Sequence, residues 1–258
     1  MPARGSGYGR YVFGAGIIFI AALMLAWGTF DPGQPVPKGF PGRTELAYLA
    51  GAFMLVVGLA IEWRRTAAWA AAALAIYYIL VVIILMNGRI VLAHYAVYGI
   101  YEGLAEQIAI AAGALIVYAS TSKLDARRAA RLMRIGQIAF GICAIVFGGA
   151  HFKYMNLTAP LVPKWLPPNQ LFWGYATGAF HIAAGLAILS GIQARLAAIL
   201  LTIMYALFTP LVHLPMLIGN PSNHFFWTEN AANLVLTGAA WVVADSLAQR
   251  GRFEAHTF

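Results

Sequence analysis

The sequence contains few charged residues and a single cysteine. Only 10% of its 258 residues are charged and 61% are hydrophobic, whereas an ordinary soluble domain carries roughly 25% charged residues. This composition excludes a water-soluble globule, a disordered chain, collagen-like repeats and a coiled coil. The lone Cys143 cannot form an internal disulfide, which also excludes relay chemistry between paired thiols. The formal charge of +8 is spread in short runs between apolar segments, so it does not indicate a nucleic-acid partner.

Eight apolar runs are long enough to cross a lipid bilayer, for which an α-helix needs about 20 residues. The sequence therefore predicts an all-α integral membrane protein with eight transmembrane helices and the lipid bilayer as its first partner. Arg89–Val97 is too polar to extend the third run, and we expect an interfacial turn or a short re-entrant helix there. Little chain is left for an aqueous domain, so any chemistry lies in or at the bilayer. The predicted spans are Tyr11–Phe30, Leu46–Trp63, Ala67–Met86, Tyr98–Tyr118, Ile135–Tyr154, Leu171–Gly191, Arg195–Leu217 and Phe226–Asp245.

The basic residues predict the orientation of these helices. One set of alternate loops holds five of the 17 Lys and Arg residues, which leaves 12 for the other set. Because positively charged loops are retained in the cytoplasm, we expect both termini on the cytoplasmic side of a bacterial inner membrane. Arg4 and Arg10 precede the first run as in a signal peptide, but no small-residue cleavage site follows, so we expect a span there. Lys123–Arg134 is predicted as a basic cytoplasmic linker at anionic headgroups. The five residues are Lys38, Arg43, Arg89, Lys153 and Lys164.

The two halves of the sequence repeat each other at a shift of 126 to 127 residues. Each half holds four spans, so both halves have the same orientation. The sequence therefore predicts two parallel four-helix bundles related by an axis along the membrane normal. We assign them to residues 1–122 and 135–258. The matching motifs are Val36-Pro37-Lys38 with Val162-Pro163-Lys164, and Tyr48-x-x-Gly51-Ala52-Phe53 with Tyr175-x-x-Gly178-Ala179-Phe180.

Polar side chains distinguish the second half from the first. At a shift of 127, three histidines of the second half stand where the first half has methionine. Ionisable side chains inside a bilayer are costly and usually functional or paired, whereas methionine fills irregular apolar space. We therefore expect residues 135–258 to carry the site and residues 1–122 to be its apolar, structural copy. The pairs are His151 with Met24, His181 with Met54, and His213 with Met86.

The candidate ligand-binding residues lie in the second half, towards the non-cytoplasmic face. His and Tyr can hydrogen-bond the carbonyls of a ring, a carboxylate can relay protons, and tryptophans can wall the ring. Glu102 and Glu106, one turn apart on the fourth span, are candidates for a proton relay. A structural role stays open for each group: an interfacial hydrogen bond, helix packing or helix capping. The ligand-binding candidates are His151, His181, Tyr205, His213, Glu229, Asn233, Trp165, Trp173 and Trp227.

The order of motifs in the second half resembles the DoxX family of small bacterial membrane proteins, which includes the DoxD-type membrane subunit of thiosulfate:quinone oxidoreductase. The resemblance covers roughly Ile135–Ser246, and it reaches the first half only through the repeat. It implies a four-helix unit and an association with redox enzymes. The tandem duplication departs from the family pattern, as does the lack of histidines in the first half. The motifs are His151-Phe152, Val162-Pro163-x-Trp165-x-Pro167, Tyr175-x-x-Gly178, His213-x-Pro215 and Trp227-x-Glu229.

Three classes of function stay open on the sequence. The first is a redox accessory subunit that binds quinone and works with a membrane or periplasmic partner subunit, since the chain has no aqueous catalytic domain. The second is a metal-binding or transport protein, because His151, His181 and His213 are side chains that zinc and copper accept as ligands. The third is a non-catalytic scaffold or assembly subunit of a membrane complex. Among cofactors, quinone ranks first, and a metal ion or haem ranks below it.

Overall fold

The computed structural model describes residues 7–255, so Arg4 lies outside the described residues. Within that range the chain is helical without strands, and eight helices are long and apolar enough to span a membrane. This confirms the all-α class and the number of predicted spans. The helices are α1 (Gly9–Trp27), α2 (Arg43–Glu62), α3 (Ala67–Ala93), α4 (Tyr98–Thr121), α5 (Ala126–Lys153), α6 (Gln170–Ser190), α7 (Ala194–Gly219) and α8 (His224–Ala255).

Large apolar side chains cover much of the outer surface of the helices. Leu85, Leu186 and Leu196 are each more than half exposed. Exposed apolar area on this scale marks a surface that meets lipid or another protein. The chain is accordingly a multi-pass membrane protein, with polar groups placed either at helix ends or between helices.

Two helix boundaries differ from the sequence prediction. α5 begins at Ala126, because the Asp125 side chain accepts a hydrogen bond of 2.9 Å from the backbone N–H of Arg128 and caps the helix. Most of the predicted linker Lys123–Arg134 is therefore the first turns of α5. α3 continues to Ala93, so the first residues of Arg89–Val97 extend this helix, and the predicted turn begins only after them.

α3 and α7 each contain a π-helical segment, at Tyr77–Asn87 and Thr209–His213. A π-helical segment widens the turn and leaves some backbone groups without their usual partners, and such segments occur frequently at functional sites. In α7 the segment includes Pro210, which has no backbone N–H to donate. These segments lie at corresponding places in the two halves of the sequence.

The same helix pairings occur in both halves of the chain. α1 packs on α2 and α8, while α5 packs on α6 and α4. α3 packs on α4 in the way that α7 packs on α8, and α4 and α8 contact each other. The halves therefore meet where α4 and α8 contact each other, where α8 packs on α1, and where α4 packs on α5.

Close approach of α5 and α6 depends on glycine. A Cβ atom on Gly148 would lie 2.6 Å from the carbonyl oxygen of Gly178, and one on Gly141 would lie 3.2 Å from that of Gly185. Gly178 and Gly185 of α6 thus lie on a small-residue face that packs on α5. Because the two backbones nearly touch, His151 on α5 and His181 on α6 come together, with ring centroids 5.1 Å apart.

Candidate functional site

A cavity of about 150 Å³ lies between helices α4, α5, α6, α7 and α8. It brings together six of the predicted ligand-binding residues and both predicted proton-relay carboxylates. Apolar side chains complete its wall. The lining residues are Glu102, Glu106, Phe147, His151, His181, Tyr205, Phe208, His213, Glu229, Ala232, Asn233 and Leu236.

The hydrogen bonds of His181 and His151 fix which ring nitrogen carries the hydrogen. Nδ1 of His181 lies 2.8 Å from the carbonyl oxygen of Thr177, and Nδ1 of His151 lies 3.2 Å from that of Gly174. Nδ1 of His151 also lies 3.1 Å from Oγ1 of Thr177, whose hydroxyl donates to the carbonyl oxygen of Trp173 at 2.7 Å and therefore accepts from the ring. A carbonyl oxygen only accepts, so both rings donate through Nδ1. In the neutral ring the lone pair then lies on Nε2, which becomes a hydrogen-bond acceptor. Both histidines are therefore set in the same tautomer by the backbone of α6.

Aromatic rings surround His181 inside the cavity. Its ring centroid lies 5.5 Å from that of Tyr205, 6.3 Å from Phe147 and 6.4 Å from Phe208. Among the described residues, the buried hydroxyl of Tyr205 has no hydrogen-bond partner, and the same holds for Nδ1 of His213. An unpaired buried polar group costs about 1–3 kcal/mol, so these two atoms mark places where a bound molecule or water gains a hydrogen bond.

Two asparagines of α8 hold the π-helical segment of α7. The amide of Asn233 donates to the carbonyl oxygen of Tyr205 at 2.9 Å and to Oγ1 of Thr209 at 2.8 Å. Asn230 donates to the carbonyl oxygen of His213 at 2.9 Å. The amide hydrogens of Asn233 are thus used inside the protein, and its Oδ1 is the atom left for a ligand. Asn230 is a positioning residue that the predicted site does not include.

Three carboxyl side chains face the cavity from α4 and α8. Glu102 and Glu106 come from the first half of the sequence, and Glu229 comes from the second. Glu106 lies near enough to Asp31, Glu102 and Glu229 to interact with them electrostatically. The contact of α4 with α8 thus brings first-half side chains into the lining beside those of residues 135–258.

Two structural roles considered for these carboxyl groups are helix capping by Glu229 and pairing of Glu102 or Glu106 with Arg89. α8 begins at His224, so Glu229 lies beyond the first turn and does not cap the helix. Arg89, a potential partner for the α4 pair, donates instead to the carbonyl oxygens of Pro35 at 2.7 Å and Met86 at 3.3 Å.

The three predicted tryptophans do not wall the cavity. Trp165 is largely exposed, and Trp173 donates from Nε1 to the carbonyl oxygen of Pro167 at 2.8 Å. Trp227 donates to the carbonyl oxygen of Pro221 and packs near Trp27. Each ring sits at a helix end or loop, where an indole contacts both apolar groups and polar surroundings. Phe147 and Phe208 provide the aromatic wall instead.

In the first half, the space beside the methionines is filled by a side chain from the loop between α1 and α2. Gln34 is fully buried, and its Nε2 lies 3.2 Å from Sδ of Met54 and 3.9 Å from Sδ of Met24. Its Oε1 accepts a hydrogen bond of 2.6 Å from the hydroxyl of Tyr77. Met86 packs half-buried against the core. Methionine and a buried amide together thus occupy the region that corresponds to the cavity.

The same loop buries Asp31, which the sequence does not single out. Its Oδ1 accepts a hydrogen bond of 2.9 Å from the backbone N–H of Gly33, and the side chain is almost inaccessible. Burial raises the pKa of Asp31 from 3.8 to about 6. Asn87 donates to the carbonyl oxygen of Gly33 at 3.0 Å and ties the loop to α3. The loop is a packed part of the first half.

Residues 7–255 contain no group of three or more His, Cys, Asp and Glu side chains that could hold a metal ion. The predicted metal set of His151, His181 and His213 therefore gains no support from the geometry. Cys143 is buried with a free thiol and does not line the cavity.

Comparison with known families gives one partial match. A family model described as a domain of unknown function (DUF8561) matches residues 140–244. The matched range includes the histidines and Glu229 but leaves out Glu102 and Glu106. No curated protein and no solved structure matches the chain.

Proposed function

We propose that this protein is a redox-associated accessory subunit of the bacterial inner membrane whose cavity binds the ring of a quinone-type molecule. The observation that carries the proposal is the meeting of His151, His181, Tyr205 and Glu229 in one small cavity with aromatic walls. A cavity of about 150 Å³ accepts a benzene ring, and polar groups at a few points on an apolar wall are typical of sites for small molecules.

The unpaired hydroxyl of Tyr205 and the carboxyl groups support the same proposal. Quinone chemistry exchanges protons as well as electrons, and Glu102, Glu106 and Glu229 lie on the cavity wall, where a carboxylate can accept a proton from a bound ring. The resemblance to DoxX-type proteins adds the expectation of a partner subunit that supplies the redox chemistry.

We further propose that the chain is a pair of parallel four-helix repeats with both termini in the cytoplasm. The recurrence of the helix pairings in the two halves supports the repeats. The uneven distribution of Lys and Arg residues supports the orientation.

The proposal is tested on protein purified in mild detergent, by extracting and quantifying bound quinones. His181→Met is the informative variant, because the first half already holds methionine at the corresponding position, Met54, without disturbing its helices. We expect quinone or quinol to copurify with the wild-type protein and to be lost from His181→Met at unchanged thermal stability.

His224→Met is the matched control, since His224 packs on Trp27 with ring centroids 4.9 Å apart and does not line the cavity. It should retain the quinone. Wild-type protein that copurifies with neither quinone nor quinol, and binds neither form of an added short-chain compound, would overturn the proposed function.

A further inference from the structure

His151, His181 and Asn233 each place a hydrogen-bond acceptor at the cavity. Both histidines use Nδ1–H on carbonyl oxygens of α6, and a charge buried in the bilayer is costly, so each neutral ring offers Nε2 as an acceptor. Both amide hydrogens of Asn233 are likewise occupied, which leaves Oδ1. A ligand forms hydrogen bonds with these three acceptor atoms only if it donates them.

The first half gives independent support for a ligand that donates hydrogen bonds. Met24 and Met54 precede His151 and His181 by 127 residues, and the group that lies against their sulfur atoms is the Nε2 amide of Gln34, a donor. The amide oxygen of Gln34 accepts a hydrogen bond from the hydroxyl of Tyr77, which leaves the N–H groups facing the sulfur atoms. The Gln34 side chain thus directs its N–H groups towards Met24 and Met54, the positions that correspond to His151 and His181.

We infer that the cavity binds the reduced, dihydroxy form of the ring, a quinol, in preference to the quinone. This inference rests on the proposed function and specifies its ligand. A quinol hydroxyl donates to Nε2 of His181 or His151, whereas a quinone carbonyl only accepts and meets a lone pair there. The Tyr205 hydroxyl and the neutral carboxyl groups of Glu102, Glu106 and Glu229 both donate and accept, so they bind either form and do not discriminate between them.

The test compares three ring compounds under anaerobic conditions with the full-length protein in detergent: a short-chain quinol, the corresponding quinone and the dimethyl ether of the quinol. The ether keeps the aromatic ring but has no O–H group. Since one neutral hydrogen bond contributes about 0.5–1.5 kcal/mol, we expect the quinol to bind roughly threefold to tenfold more tightly than either other compound for each bond formed.

His181→Met should reduce this preference, because it removes one acceptor, and His224→Met should leave it unchanged. The wild-type comparison needs no variant, so it decides the question even if His181→Met does not fold. Binding of the quinone as tightly as the quinol, or more tightly, overturns this inference and leaves the proposed function standing. Binding of none of the three compounds overturns both.

Discussion

At His181 the backbone of its own helix decides the chemistry of the side chain. The carbonyl oxygen of Thr177, one turn earlier, accepts a hydrogen bond from Nδ1–H, so Nε2 of the neutral ring is a hydrogen-bond acceptor. The sequence predicts that the histidines matter, because they replace methionines of the repeat. It does not predict their tautomer, since that depends on which carbonyl oxygen lies within reach after α5 and α6 have packed.

The burial of Asp31 and Gln34 cannot be predicted when the sequence is considered one residue at a time. A carboxyl or an amide in a loop between spans is normally solvated, so neither residue stands out. Both are buried because the loop is held against α3 by Asn87 and Arg89. The only signal in the sequence is the repeat itself, since the corresponding loop of the second half lacks both residues.

Asp31 predicts a pH-dependent stability. Its pKa is about 6 in the folded protein and near 3.8 as a free side chain, so the folded state holds the proton more tightly than the unfolded chain does. Stability is therefore highest with Asp31 protonated, and it falls as the pH rises from about 4 to about 6, by roughly 3 kcal/mol in total. Asp31→Asn keeps an oxygen for the Gly33 N–H and removes this titration.

Thermal denaturation in detergent between about pH 4 and pH 7 measures the effect. The difference between wild type and Asp31→Asn should grow towards neutral pH in favour of the variant. Glu45→Gln is the control, because Glu45 is an exposed carboxylate at the start of α2, and its pH profile should follow that of the wild type. Parallel profiles for wild type and Asp31→Asn would contradict the prediction.

At the scale of elements, hydropathy predicts where the spans lie but not the π-helical segments within them. Apolar runs look alike in α-helical and π-helical backbone, so Tyr77–Asn87 is invisible in the sequence. Thr209–His213 contains Pro210, which signals irregular backbone without specifying its form. What stabilises this segment is distant in sequence: Asn230 and Asn233 on α8 bind carbonyl oxygens of α7.

The contact between α5 and α6 gives a prediction about packing. Gly148→Ala places a methyl group against the carbonyl oxygen of Gly178, so the helices must separate. We expect a loss of about 1–3 kcal/mol, as for overpacked cores, seen as a thermal midpoint several degrees lower. Ring binding should weaken as well, because His151 and His181 move apart.

Gly103→Ala on α4 provides the comparison, since a methyl group there meets open space. Alanine favours a helix over glycine by up to about 1 kcal/mol, so this variant should be as stable as the wild type or more stable. A Gly148→Ala protein with wild-type stability would show that the two helices do not depend on this close approach.

For the whole molecule, the contacts between the two halves are what the repeat in the sequence does not predict. Spacing within one half cannot reveal which of its helices contact the other half. The contact of α4 with α8 is such a long-range feature, and it is the reason that Glu102 and Glu106 share a cavity with His181.

The proposed orientation predicts which positions react with a membrane-impermeant maleimide in intact bacterial cells. Lys164 and Arg127 are both exposed, and they lie at opposite ends of α5 and its following loop. Lys164→Cys should be labelled from outside, whereas Arg127→Cys should react only after the cells are opened. Native Cys143 is buried and adds little background. Labelling in the opposite pattern would reverse the topology.

The buried amide of Gln34 has a consequence for stoichiometry. A pair of equivalent half-sites ordinarily takes two ligands and allows one to influence the other. In the first half, the side chain of Gln34 occupies the corresponding region. Because Gln34 is covalently part of the chain, its effective concentration exceeds that of any diffusing molecule. From the proposed function we therefore expect one exchangeable site per chain, with an occupancy that follows a simple saturation curve without cooperativity between the halves.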